Sequence, residues 1–327
     1  MEGFMRKRIF KVIKWILLAL ILVLAAMSVW NYACKRNEAG KVNDAYGQSV
    51  EVAGKSMAVD IKGEENNTTI ILLPGWGSPS PILEFLPLAE QLSEKYRVIT
   101  IEPFGYGLSD EMGTERDIDT IVEELHECTE QLGCEQYYLM AHSISGLYSL
   151  YWANAYPREV QGFIGIDPSV PKQDENEPFP ISTVTLNKLL AYMEKAKNIF
   201  GVTRLQSVEH SENAIYADLT YPYSESELEV YRILSMDYAY GKDMMNELEH
   251  MEENLEVVRE MKFPESIPVL QFVSSDNCEV MEAWEKLHED VITETGSSEV
   301  MKLDGGHYLH FERREEIIQK VNRWIGE

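Results

Sequence analysis

The sequence predicts an α/β fold: a mostly parallel central sheet with helices on both faces, bearing a helical cap and preceded by one transmembrane helix. Three observations predict it. From about residue 69 onward, short apolar runs of strand length alternate with longer runs of helical periodicity. The alternation stops between about residues 170 and 265 and then resumes, which marks an insertion between two sheet strands. An uncharged run of 19 residues, Trp15 to Ala33, stands near the N-terminus between basic flanks.

Taken in order, the first element is the membrane segment. Nineteen helical residues span about 28 Å, close to the hydrocarbon thickness. Five basic residues at 6–14 precede the run, and Lys35 and Arg36 close it. The positive-inside rule then keeps the N-terminus in the cytoplasm and puts the rest outside, as a single-pass protein of the cell membrane. Trp15, Trp30 and Tyr32 fall where interfacial aromatics are expected. A cleaved signal peptide competes, since Ala25 and Ala26 are small, but the apolar run is long for one. Cys34 would suit a lipoprotein site, except that Asn31 stands where an aliphatic residue is wanted. Residues 1–36 are therefore expected to be an anchor and 37–48 a tether.

Residues 49–52 and 57–61 flank Gly54-Lys55 and predict a β-hairpin. Strands are expected at 69–73, 97–101, 137–140, 162–166, 268–273 and 299–303. Helices are expected at 81–96, 117–132, 145–155 and 313–325, the first two from apolar stripes such as Ile118, Ile121, Val122 and Leu125. Residues 49–169 and 266–327 form the core, and 170–265 the cap. The cap stretch holds 19 acidic residues, nine basic ones, ten aromatics and six Met. It carries helical rather than strand periodicity.

The net charge is −26, and beyond the first 36 residues it reaches −32, from 22 basic and 54 acidic side chains. So acidic a surface, with no basic stripe, excludes nucleic acid as a partner. Of four cysteines, Cys34, Cys128, Cys134 and Cys278, none is arranged as a metal or redox pair. No cofactor or metal is expected, and a monomer is expected.

The chemistry centres on Leu139-Met140-Ala141-His142-Ser143-Ile144-Ser145-Gly146, which joins a strand to a helix. A nucleophile held on a sharp strand-to-helix turn needs small residues at −2 and +2, because strand and helix nearly touch. For Ser143 these are Ala141 and Ser145. For Ser145 the +2 residue would be Leu147, which is too bulky. Register therefore selects Ser143. Leu72-Leu73-Pro74-Gly75-Trp76-Gly77 ends a strand in a turn whose Trp76 N–H, with that of Ile144, can stabilise an oxyanion. Glu102 to Asp110, with Gly105 and Gly107, is a tight loop of structural role. Gly305-Gly306-His307 follows the last strand and offers His307 as general base. His310 lies three residues on, without further ligands to suggest a metal pair. His142 is expected to pack against the cap. Asp276, in the loop after the 268–273 strand, offers the carboxylate that would orient His307.

On these motifs the chain resembles the α/β-hydrolase superfamily, over residues 50–327. Pro74-Gly75-Trp76-Gly77 resembles its oxyanion turn, with Pro in place of His. Residues 104–110 resemble its G-x-G-x-S-D loop, and Gly305-Gly306-His307 its terminal His loop. The family's acid loop, Gly-x-x-Asp, would align Ser274 with the Gly and Asn277 with the acid. A loop one residue shorter gives the role to Asp276, with Asp167, at the end of the 162–166 strand, as the fallback. The resemblance implies a serine hydrolase working through an acyl-enzyme on Ser143, and the aromatic and Met content of the cap points to an ester of a small hydrophobic or lipid-like substrate. An aminopeptidase like the proline iminopeptidases and a non-catalytic binding module are the alternatives. Labelling by a fluorophosphonate, lost in Ser143→Ala, separates enzyme from binding module.

Overall fold

The computed structural model describes residues 2–42, 45–176, 182–207, 218, 220–294 and 296–326. Strands β1 (Gln48–Val52) and β2 (Lys55–Lys62) form the expected hairpin. Ala53 and Gly54 both take positive φ at its tip, the two-residue turn whose twist suits a hairpin. Six further strands follow among the described residues: β3 (Thr69–Leu73), β4 (Arg97–Ile101), β5 (Tyr137–His142), β6 (Val160–Ile166), β7 (Val269–Ser274) and β8 (Glu299–Leu303). The sheet order is β1-β2-β4-β3-β5-β6-β7-β8. The two pairings made by β2 are antiparallel and all others are parallel. The central strands are continuous apolar runs because both faces are covered.

Side chains of β3 alternate between two cores. Ile71 and Leu73 pack with α3 (Ile118–Gln131) and α4 (Ser145–Ala155), whereas Ile70 and Leu72 pack with α2 (Pro81–Leu92) and α12 (Arg314–Gly326). The α/β class with helices on both faces is as expected.

Between β6 and β7 the described residues form a 3₁₀ turn (Gln173–Asn176) and four helices: α5 (Thr183–Ile199), α6 (Val202–Gln206), α7 (Glu225–Asp237) and α8 (Lys242–Val258). Helix α8 is fastened to the core. Asp243 accepts from the Met112 and Gly113 N–H groups, Asn246 Oδ1 from Arg116 N (2.7 Å) and Asn254 Oδ1 from Ile118 N (2.8 Å). After β7 come α9 (Ser275–Val280) and α10 (Trp284–Asp290), and after β8 the short α11 (Leu309–Glu312).

The N-terminal helix α1 runs from Glu2 to Val42. Its Met5–Val42 portion is long and apolar enough to cross a membrane, and the apolar window is unburied. The expected tether at 37–48 begins instead as the end of this helix. Arg204 explains why. It is buried, its Nε donates to Asn31 Oδ1 (2.8 Å), and its guanidinium pairs with Asp237 and Glu38. Val42 packs with Leu83, Leu86, Tyr231 and Leu234. A helix with such partners at its C-terminal end has no reason to unwind there.

Candidate active site

Ser143 leaves β5 and enters α4 with φ +53°. A non-glycine residue there is strained by about 1–3 kcal/mol, and the surroundings must enforce it. They do. Ala141 is fully buried against its partner Gly165 on β6. A Cβ on Gly146 would lie 2.5 Å from Pro168 Cβ and 2.6 Å from the Ser169 carbonyl oxygen. The Ser143 carbonyl accepts from Ser169 N (2.7 Å). Ser145 Oγ donates to the Pro74 carbonyl (2.5 Å), tying the turn to the Gly75-Trp76 loop. Gly75 passes so close that a Cβ there would be 2.7 Å from His142 Nδ1 and 3.1 Å from Ser143 Cβ. Among the described residues, the N–H groups of Trp76 and Ile144 donate no hydrogen bond, so both remain available. The Trp76 indole N–H donates to the Met244 carbonyl of α8 (2.8 Å).

His307 follows β8, and its Nδ1 lies 2.6 Å from Asp167 Oδ2. Asp276 does not take this place. Helix α9 starts directly after β7, with Ser274 as its N-cap accepting from Asn277 N. Asp276 therefore falls on the outer side of the first turn, exposed, its carboxylate accepting among the described residues from Ser275 Oγ (3.4 Å). Asn277, the residue that aligns with the family's acid, points inward. Its Nδ2 donates to Asp167 Oδ2 (2.5 Å) and lies 3.5 Å from His307 Nδ1. Asp167 Oδ1 accepts from Ser274 N (2.9 Å) and from Trp284 Nε1 (2.8 Å). Burial alone would raise the pKa of Asp167. The bond to His307 and these other donors outweigh it and hold the carboxyl below its ordinary range. Asn277 and Trp284 were not singled out as partners of the acid. Trp284 sits 117 residues from Asp167 and carries no local signal.

Among the described residues no hydrogen bond joins Ser143 Oγ to His307; such bonds commonly tighten only with substrate in place. His142 joins their two loops. It is buried, its ring centroid is 4.6 Å from that of His307, and its Nε2 meets the His307 carbonyl at 3.1 Å.

The family model for the alpha/beta hydrolase fold matches residues 68–314. The chain belongs to that family. It is also 27% identical over 321 residues to the uncharacterized protein YbdG of Bacillus subtilis, covering 96% of this chain and 97% of that one. Among solved structures, it is similar to an epoxide hydrolase from Vigna radiata (TM-score 0.59, 17% identity, 86% of this chain and 97% of that one). It is likewise similar to a meta-cleavage product hydrolase from Pseudomonas fluorescens (TM-score 0.60, 14% identity, 86% and 98%). At these identities the two structures speak to the fold alone.

In this α/β-hydrolase, His142 packs on His307, Tyr308 and His310 rather than on the cap. Burial pushes its pKa well below the ordinary value, helped by the neighbouring histidines. The neutral ring therefore donates from Nε2 to the His307 carbonyl, a tautomer assigned from that contact. Glu84, His142 and His310 bring one potential ligand atom each within 4.8 Å. Glu84 is already engaged, accepting from Ser78 Oγ (2.5 Å) and facing His310 Nε2 (3.1 Å), so the trio braces the His307 loop. Glu102 is bonded to its own loop at Leu108 and Ser109. It is buried under the Gly107 turn and accepts from Tyr46, Ser80, Ile82 N and Leu108 N. A cavity of about 660 Å³ lined by Thr69, Arg97 and Gln136 lies at the amino ends of the strands, away from this chemistry.

Proposed function

We propose that this α/β-hydrolase is a serine hydrolase that cleaves esters of small hydrophobic or lipid-like substrates through an acyl-enzyme on Ser143. The observation that carries the reading is the 2.6 Å contact of His307 Nδ1 with a buried Asp167 that three further donors keep ionised. A carboxylate there fixes the imidazole so that Nε2 is left as the base. His307 takes the Ser143 proton as Oγ attacks the carbonyl carbon. The resulting oxyanion is met by the Trp76 and Ile144 N–H groups, each worth about 3 kcal/mol. His307 then returns the proton to the leaving alcohol. Water, deprotonated by the same ring, releases the acid and restores Ser143.

The cap supports an apolar substrate. Ala191, Met245 and Leu248 cluster with Trp76, Tyr240 and Met251 beside the candidate oxyanion turn. The acids of α8 that face the core do not favour the aminopeptidase reading. Asp243 is held by backbone N–H groups, and Glu247 accepts from Tyr106 (2.7 Å) and Tyr148 (2.6 Å), leaving neither to receive a peptide amine. With α1 as a single membrane span, the positive-inside rule sets this domain outside the cell membrane.

Two assays test the reading. A fluorophosphonate should label the full chain and fail to label Ser143→Ala. Short p-nitrophenyl esters should be hydrolysed while proline-terminated peptide amides are not. Labelling that persists in Ser143→Ala would remove the proposed nucleophile.

A further inference from the structure

The cap carries a feature that neither the candidate site nor the fold requires. Helix α5 buries one side only. Val184 and Ala191 are buried, and Ala191 packs on Met245 and Leu248 in the cluster that includes Trp76. Lys188 and Tyr192 flank that seam through Glu249. On the opposite side, Leu186, Leu189, Leu190 and Met193 are between 44% and 59% exposed. Their spacing of i, i+3, i+4 and i+7 makes a continuous stripe, about half a turn from the buried seam. Ile199 and, on α6, Leu205 extend the apolar exposure. A soluble monomer rarely leaves so contiguous an apolar face uncovered.

What covers it is indicated by α1. The uncharged run of that helix ends at Ala33. Within its last turn, Asn31 Nδ2 donates to the Asn198 carbonyl at the end of α5 (2.8 Å). Gly201 approaches so closely that a Cβ there would be 2.9 Å from Asn31 Cβ. Arg204 of α6 clamps the same Asn31 together with Glu38 and Asp237. The end of α5 is thus fixed where α1 leaves the hydrocarbon, at the depth where amphipathic helices lie on a bilayer.

We propose that the outer face of α5 rests on the bilayer that holds α1, so that one cap helix has the candidate site on its inner side and lipid on its outer side. The inference rests on α1 as a membrane span and is independent of the hydrolytic reading. It would place the approach to Ser143 at the interface, where lipophilic esters concentrate.

The test uses the full chain in vesicles of phosphatidylcholine and phosphatidylglycerol. Cys34 and Cys278 are changed to Ser, leaving the buried Cys128 and Cys134. The fluorophore NBD is then attached at Leu189→Cys or, for reference, at Glu65→Cys before β3, on the sheet edge opposite the site. The position-189 label should emit at shorter wavelength than the reference and be quenched by lipids brominated near the top of the acyl chain. Emission equal to the reference, without quenching, in vesicles that retain the chain through an alkaline carbonate wash would overturn the proposal. A blue shift that depends on protein-to-lipid ratio but not on brominated lipid would also overturn it, by showing a second copy on this face. Release of the chain by the wash would remove the span itself and the proposal with it. Fluorophosphonate labelling of the same samples reads the hydrolase proposal separately.

Discussion

At the scale of single residues, burial decides more than sequence distance does. Glu102 is the case with a measurable consequence. Desolvation pushes its pKa from 4.5 up to about 7, although Leu108 N–H, Tyr46 and other donors pull it back. Between these values the folded chain binds the proton more tightly than the unfolded chain. Stability therefore falls as pH rises through that window, by ~3 kcal/mol for this group. Glu102→Gln removes the titration. The parent's Tm should drop more steeply than the variant's between pH 5 and 7, even if the variant starts lower. Equal slopes would mean that Glu102 titrates normally. The placement of Ser143 on a strand-to-helix turn and of His307 after β8 was legible because the signals are local: small residues around a turn, and a Gly-Gly-His loop after a strand. The carboxylate that meets His307 was not. Which of Asp167, Asp276 and Asn277 meets His307 depends on α9 starting one residue after β7, and no periodicity reports that. Asn277 keeps the inward position and supplies a donor, while Asp167 from β6 supplies the charge.

At the scale of elements, the β5–α4 turn is held by close approach rather than by any single bond. Gly146 marks the tightest point. Gly146→Ala should lose about 1–3 kcal/mol of stability, since the new methyl meets the Pro168 ring and the Ser169 backbone, which cannot swing aside. Chemical denaturation reads that loss. The same variant should be labelled more slowly by fluorophosphonate, because relief of the clash moves Ser143. Unchanged stability would show that the β6 exit is free to shift. The strands and core helices were legible from alternation and apolar stripes. The C-terminal end of α1 was not. Residues 37–42 look polar and loose in isolation, and they are helical because Arg204 and Arg232 from the cap meet Glu38, while Lys41 pairs with Glu229.

At the scale of the whole molecule, α1 and the cap are tied by buried charges. Arg204 and Asp237 are nearly inaccessible. Arg204→Met should destabilise the docked cap by about 3–5 kcal/mol, because it strands carboxylates that remain buried. Faster proteolysis between α5 and α7 in the variant, with the core still protected, is the expected signature. The sheet itself gathers the candidate site from three strand ends: Ser143 after β5, Asp167 after β6 and His307 after β8. That convergence is tested most directly by comparing fluorophosphonate labelling rates of Asp167→Asn and Asp276→Asn at equal folded concentration. Asp167→Asn should be slowed by about 10⁴-fold, the loss expected when a triad imidazole is left in the wrong tautomer, while Asp276→Asn labels at the parent's rate. A large loss in Asp276→Asn alongside normal labelling of Asp167→Asn would contradict it.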